Sequence, residues 1–228
     1  MAKWVLDAGH GGNDPGAIGK NNRRESDINL EAAYEAMRLL ERNGETVLLT
    51  RASDIYISYR DRAKIANDWG ADYFVSFHMN SFVDSSVTGT EVFIYEKGSK
   101  AEGLASLIKA ELVANLRSND RGIKEASYIE LRETNMPAVI IEAEFLSNEE
   151  VEKTFDSKKY GYMVAKACLS FVDKVLIDIP HTKAKIPTRE GWRVCVGYYR
   201  KYQDAEEEMK RLQGMGIKGI HIVPYPEG

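Results

Sequence analysis

Trp4-Val5-Leu6-Asp7-Ala8-Gly9-His10-Gly11-Gly12 begins as a short apolar run and breaks into glycine around one histidine. An apolar run of this length bounded by turn residues reads as a buried strand. Two later stretches repeat the design: Tyr73-Phe74-Val75-Ser76-Phe77-His78-Met79-Asn80 and Ala138-Val139-Ile140-Ile141-Glu142. The chain has four histidines, and two of them, His10 and His78, stand where such a run gives out, as Glu142 does in the third. In open α/β sheets the carboxyl ends of the strands form the rim where ligands bind. Three such ends bring residues far apart in sequence into one site, a geometry that suits a catalytic metal.

Outward from these runs, β-branched or aromatic stretches alternate with longer helical patterns, the arrangement of an α/β sheet covered by helices. Strands are predicted over Lys3 to Asp7, Thr46 to Thr50, Tyr73 to His78, Glu91 to Tyr95 and Ala138 to Glu142. Between the first two, Asp27 to Asn43 gathers Ile28, Ala32, Ala36, Leu39 and Leu40 near one helical face, with Ser26 as its cap and Gly44 as its stop. Further helices are expected over Ile57 to Trp69, Ala101 to Leu116 and Tyr160 to Val175.

These elements make a main domain of residues 1–177. Residues 178–190 hold Pro180 and Pro187 with no apolar period and read as a linker. Residues 191–228 follow as strand, charged helix and strand, a βαβ unit too small to stand alone. Only one copy of that unit is present, so homodimerisation through the tail is expected.

With 228 residues and 43% apolar content the chain can bury a full core. A net charge of −4 and no dense Lys/Arg block give no nucleic-acid footprint. No apolar run reaches the roughly 20 residues that span a bilayer, so membrane insertion is not expected. The first strand starts almost at once and leaves no room for a signal peptide. On this reading the product gathers in the cytoplasm until a membrane lesion or lysis releases it. The two cysteines, Cys168 and Cys195, lie in apolar surroundings in different domains and read as small buried hydrophobes.

Glu25 stands just before the first long helix, outside its apolar stripe, and is a candidate third ligand. Two imidazoles and one carboxylate, with a position left for water, are a normal set for hydrolytic zinc. The spacing is not that of two histidines four apart on a helix. Hydrolysis needs a base for the water's proton, and Glu142 is the best-placed candidate. Taken singly, these residues have plainer readings: strand-end histidines, and a helix-start carboxylate favoured by the helix dipole.

Together with Asp14-Pro15-Gly16-Ala17, Thr50-Arg51, Asp54, Arg62, Ala66-Asn67, Arg121-Gly122, Leu131-Arg132, Phe145 and Ser147-Asn148, these stretches carry a resemblance. The chain resembles the zinc-dependent N-acetylmuramoyl-L-alanine amidases of the amidase-3 family, found among bacterial autolysins and phage endolysins. The agreement runs from about Lys3 to Val175. It implies a twisted mixed β-sheet flanked by helices, His10, Glu25 and His78 as Zn2+ ligands, Glu142 as the catalytic glutamate, and peptidoglycan as the substrate. It implies further that zinc-activated water cuts the amide between the lactyl group of N-acetylmuramic acid and L-alanine, with Glu142 passing the water's proton to the leaving nitrogen. One position departs from the pattern: Glu144 stands where the family usually has glycine. If the strand continues, Glu142 and Glu144 share a face, and the second carboxylate either raises the pKa of the first, contacts metal or substrate, or points into solvent.

The tail, with Trp192-Arg193-Val194-Cys195-Val196-Gly197, Ala205 and Leu212, resembles half of a SPOR-type wall-binding repeat. Tyr198, Tyr199 and Tyr202 are placed either to stack on sugar rings or to pack the unit. Arg51, Arg62 and Arg132 read as surface or ion-pair arginines, with one of them free to hold a muropeptide carboxylate; His181 and His221 receive no metal role. Two rival functions use the same residues: a zinc peptidase acting within stem peptides, and a non-catalytic wall-binding protein.

Overall fold

The computed structural model describes residues 1–178 and Lys210. Residues 1–178 form six strands and six helices. The strands are β1 (Lys3–Ala8), β2 (Thr46–Leu49), β3 (Tyr73–Asn80), β4 (Thr90–Ile94), β5 (Asp120–Glu125) and β6 (Ala138–Phe145). The helices are α1 (Glu25–Arg42), α2 (Tyr59–Trp69), α3 (Lys100–Leu116), α4 (Ile129–Arg132), α5 (Glu149–Thr154) and α6 (Ser157–Phe171). The chain divides into two units, Met1–Pro180 and His181–Gly228. Apart from Lys210, the tail unit and its expected βαβ pattern, with Cys195, His181, His221 and the three tail tyrosines, lie outside the described residues.

All six strands join one sheet in the order β2-β1-β3-β6-β4-β5. β1 pairs in parallel with β2 and β3, and β3 pairs in parallel with β6. β4 runs antiparallel to β6 and carries β5 parallel to itself. The sheet is therefore mixed, in an α/β architecture flanked by helices. Because side chains alternate across a strand, each central strand feeds two cores. Trp4, Leu6, Val75, Phe77, Val139 and Ile141 join the larger one, under α1, α3 and α6. Val5, Phe74, Ala138 and Ile140 join the smaller one, with Ala66 of α2 and Leu131 of α4. Burial on both faces explains why these strands read as unbroken apolar runs.

Three details differ from the sequence reading. Ser26 is not a cap: α1 begins at Glu25, its N-cap is Arg24, and Ser26 is buried within the first turn. The backbone of the preceding loop does the capping, since Pro15 O accepts from Ser26 N and Ala17 O from Glu25 N. β5 was not foreseen, nor were the short helices α4 and α5. His78 and Glu142 do not end their strands. β3 continues two residues past His78 and β6 three past Glu142, because backbone pairing persists through a bulge and rejoins Asn80 to Phe145.

That register fixes the position of the chemistry. His78 lies beside Glu142 across the β3–β6 ladder, and Glu91 of β4 lies opposite Glu142 on its other side. By alternation, Phe74, Ser76 and His78 share a face with Ile140 and Glu142, and with Phe93 and Glu91. His78 and Glu142 thus lie on the sheet face that carries α2 and α4, near the carboxyl ends of β3 and β6.

Candidate metal centre

His10 follows the end of β1 in a left-handed backbone conformation, φ 62°. Such a conformation is costly for a residue with a side chain and persists only where surrounding contacts enforce it. Here two buried arginines do so. Arg51 donates to Ala8 O at 2.8 Å, Gly9 O at 3.0 Å and Ser26 O at 2.7 Å. Arg62 donates to Ala8 O at 2.7 Å, His10 O at 2.8 Å and Ile57 O at 2.9 Å. Arg62 also donates to Asp7 Oδ1 at 2.7 Å, and Asp7 accepts from Thr50 and Ser76, each at 2.6 Å. Burial pushes Asp7 up, but Arg62 and these donors outweigh it and hold the carboxyl below its usual range.

The imidazole of His10 is fixed at both nitrogens. Nδ1 lies 2.9 Å from Asp14 Oδ2 and Nε2 lies 3.2 Å from Glu25 Oε1. Glu25, the first residue of α1, is 3% exposed. Its Oε1 lies 3.0 Å from His78 Nδ1 and accepts from Met79 N at 3.0 Å and Asn29 Nδ2 at 3.3 Å; its Oε2 accepts from Ala17 N at 2.8 Å. The two imidazole rings stand edge to face, with centroids 4.9 Å apart. One ligand atom from each of His10, Glu25 and His78 lies within 4.8 Å of the others. Gly9 leaves the room for this, because a Cβ there would sit 2.2 Å from Cε1 and 2.3 Å from Nε2 of His78.

The electrostatics match the geometry. Burial raises Glu25, but hydrogen bonds and charge from His10 and His78 overcome it and keep the carboxyl far below the usual range. Burial lowers both histidines, and Glu25 more than reverses it, lifting His10 above its ordinary value and His78 to about 9. A buried carboxylate that raises the proton affinity of two imidazoles can draw a divalent cation into the protons' place. The donors, two nitrogens and one carboxylate oxygen, are those of a catalytic zinc site.

Glu142 behaves differently. Its Oε2 is enclosed and has no hydrogen-bond partner among the described residues. Burial, with Glu25 and Glu91 adding to it and His78 and His10 opposing, pushes the carboxyl up to about 8. A carboxyl with one enclosed oxygen lacking a partner among the described residues, and with a raised pKa, beside a candidate metal-ligand set is placed to exchange protons with a substrate.

His10, Glu25 and His78, foreseen as ligands, come together, and Glu142 joins them through strand register. Glu144 does not. The bulge after Glu142 breaks the two-residue alternation, and the Glu144 carboxylate accepts from Gly89 N at 2.8 Å and Phe145 N at 3.2 Å. Arg51 and Arg62, read as surface or ion-pair arginines, are 2% and 1% exposed: Arg62 is the ion-pair case, bonded to Asp7, whereas Arg51 donates to carbonyls of the His10 loop. Arg132 is an exposed residue that bonds Ser127 and Glu133. The sequence reading gave no role to Asp14 or Asn29. Only the spacing of Asp14 four residues after His10 hinted at a contact.

A family model described as N-acetylmuramoyl-L-alanine amidase matches residues 5–174. The sporulation-specific N-acetylmuramoyl-L-alanine amidase of Bacillus subtilis is 41% identical over 226 residues, 98% of this chain and 85% of that protein, a span that reaches into the tail. Among solved structures, the catalytic domain of CwlV, an N-acetylmuramoyl-L-alanine amidase from Bacillus (Paenibacillus) polymyxa var. colistinus, matches with a TM-score of 0.71 at 34% identity. That match covers 76% of this chain and 99% of the other. An N-acetylmuramoyl-L-alanine amidase from Clostridium difficile 630 gives the same TM-score, 0.71, and identity, 34%, over 75% of this chain and 97% of its own.

Proposed function

The chain belongs to the N-acetylmuramoyl-L-alanine amidase family, and from that membership we propose that it hydrolyses peptidoglycan with a zinc ion held by His10, Glu25 and His78 and with Glu142 as the proton carrier. The bond cut is the amide between the lactyl group of N-acetylmuramic acid and L-alanine of the stem peptide. The observation that carries the site assignment is the convergence of three ligand atoms within 4.8 Å beside a carboxyl whose enclosed oxygen has no hydrogen-bond partner among the described residues.

A zinc ion held by His10, Glu25 and His78 would supply Lewis acidity toward the amide carbonyl and the attacking water. Glu142 accepts the water's proton at its carboxylate as the new C–O bond forms. It returns that proton to the L-alanine nitrogen as the C–N bond breaks, leaving a free lactyl carboxyl on the sugar and a free amine on the peptide. A group that both takes and gives a proton works best with a pKa near the working pH, and burial moves Glu142 in that direction. Asp14, on the far nitrogen of His10, orients that imidazole and raises its basicity as a ligand. Arg51 and Arg62 hold the loop from which His10 projects.

Mass spectrometry of muropeptides digested by the full chain tests this reading. The expected products are stem peptides with a free L-alanine amine and sugars without peptide, lost on chelation and restored by zinc. Cleavage within the stem, with peptide left on the sugar, favours the peptidase reading. Undiminished activity in metal-free protein overturns the zinc site.

A further inference from the structure

Next to Glu142 on the open sheet face lies a cationic group for which the hydrolytic chemistry has no use. Glu91, paired across from Glu142, is 4% exposed. Its carboxylate accepts from Asn80 Nδ2 at 2.9 Å, Arg121 Nε at 2.9 Å and Lys124 Nζ at 2.5 Å. Two cations therefore share one buried anion, and the trio carries one net positive charge. Both cationic side chains reach solvent, Arg121 at 36% and Lys124 at 41% exposure.

Their donors are only partly used. Arg121 spends Nε on Glu91, and its two terminal Nη groups make no hydrogen bond among the described residues. Lys124 spends one of three ammonium protons. Aromatic rings steady both heads: the Arg121 guanidinium lies 4.9 Å from the centroid of Phe145, and the Lys124 ammonium 5.8 Å from that of Phe93. A planar fork and an ammonium held side by side, with spare donors facing solvent, suit a carboxylate.

We infer that Arg121 and Lys124 form a subsite for a free carboxylate of the stem peptide, close to the amide being cut. The inference rests on the amidase reading above, which places an L-alanine-linked stem at Glu142. Glu142, Glu91 and the β5 cations occupy successive strands, spaced about 4.8 Å apart, so the subsite lies within about 10 Å of the base. An extended peptide advances about 3.5 Å per residue, which puts a carboxylate on the second stem residue, or its immediate neighbour, in reach. Such a subsite selects stems that keep the acid over stems in which it is amidated.

The test uses two synthetic muropeptides that differ only at the second stem residue, a free α-carboxylate in one and its carboxamide in the other, with kcat/KM measured on the zinc-loaded full chain. The wild type should prefer the acid about tenfold, the scale of a charge-assisted contact at a half-exposed site. Lys124→Gln and Arg121→Gln should each reduce that ratio toward one. Lys166→Gln, which removes an equal charge from α6, should keep it. If Arg121→Gln fails to fold, Lys124→Gln, at an exposed head group, carries the test. Equal rates on both muropeptides in the wild type, or a tenfold ratio that survives Lys124→Gln, overturns the subsite. Failure to cleave either muropeptide overturns the amidase reading itself and the subsite with it.

Discussion

Replacing Arg62 with leucine removes one half of a buried ion pair and leaves the other half in place. Asp7 is 0% exposed and Arg62 1%, and their 2.7 Å contact is the only one Asp7 makes to a cation among the described residues. Stranding one member of such a pair costs about 3–5 kcal/mol. His10 O and Ile57 O lose their Arg62 donors as well, whereas Ala8 O keeps Arg51. Against a domain stability of about 5–15 kcal/mol, the variant should lose about a fifth or more, read as a shift in the urea midpoint.

The loss should also depend on pH in a definite direction. In the wild type the folded pKa of Asp7 is depressed, so its stabilisation is present above the unfolded pKa and is lost as pH falls through the folded value. Without Arg62, burial acts with less opposition and lifts Asp7 above its unfolded value. The deficit should therefore be largest at neutral pH and should shrink as acid neutralises the stranded carboxyl. Asp7→Asn added to Arg62→Leu should recover part of the loss at pH 7. A deficit under about 1 kcal/mol at pH 7, or one that grows as pH falls, refutes the role assigned to this pair.

Glu142→Gln should lower kcat by at least about 100-fold while zinc content is kept, because proton transfer is lost and the ligands are not; Glu144→Gln should keep most activity, since an amide oxygen can still accept from Gly89 N. The reverse pattern in steady-state assays reassigns the base. Asp14→Ala should weaken zinc binding by about 10–100-fold in a chelator competition, as expected when a histidine ligand loses its orienting partner; unchanged affinity contradicts that role. Gly9→Ala should leave the circular dichroism of the fold intact yet lower zinc affinity at least about tenfold, because the new methyl displaces the His78 ring. Full zinc occupancy at wild-type affinity shows that the ring had room to move.

The central strands were legible because β1, β3 and β6 are buried on both faces and so run apolar without a break. β5 was not, because Asp120-Arg121-Gly122-Ile123-Lys124-Glu125 is a mostly polar edge strand interrupted by glycine, with no alternation to detect. The histidines were legible as scarce residues at breaks in pattern, and Glu25 as a carboxylate at the start of the first long helix. Their depth within the sheet was not: an apolar run ends where side chains turn polar, while the ladder is made by backbone and continues through His78 and Glu142. The burial of Arg51 and Arg62 was hidden for a related reason. Arginine is usually exposed, and what draws these two inward is a set of carbonyls around Gly9 and His10 that becomes visible only in three dimensions. The cationic pair on β5 was hidden with its strand.

Anomalous diffraction at the zinc edge from crystals of the zinc-loaded full chain tests the central claim most directly. The account predicts one strong peak bounded by His10, Glu25 and His78, at about 2.0–2.2 Å from a nitrogen of each imidazole and an oxygen of the carboxylate, with Glu142 beside it but outside the ligand set. A peak held by other residues, or zinc-loaded crystals with no peak at this triad, contradicts it.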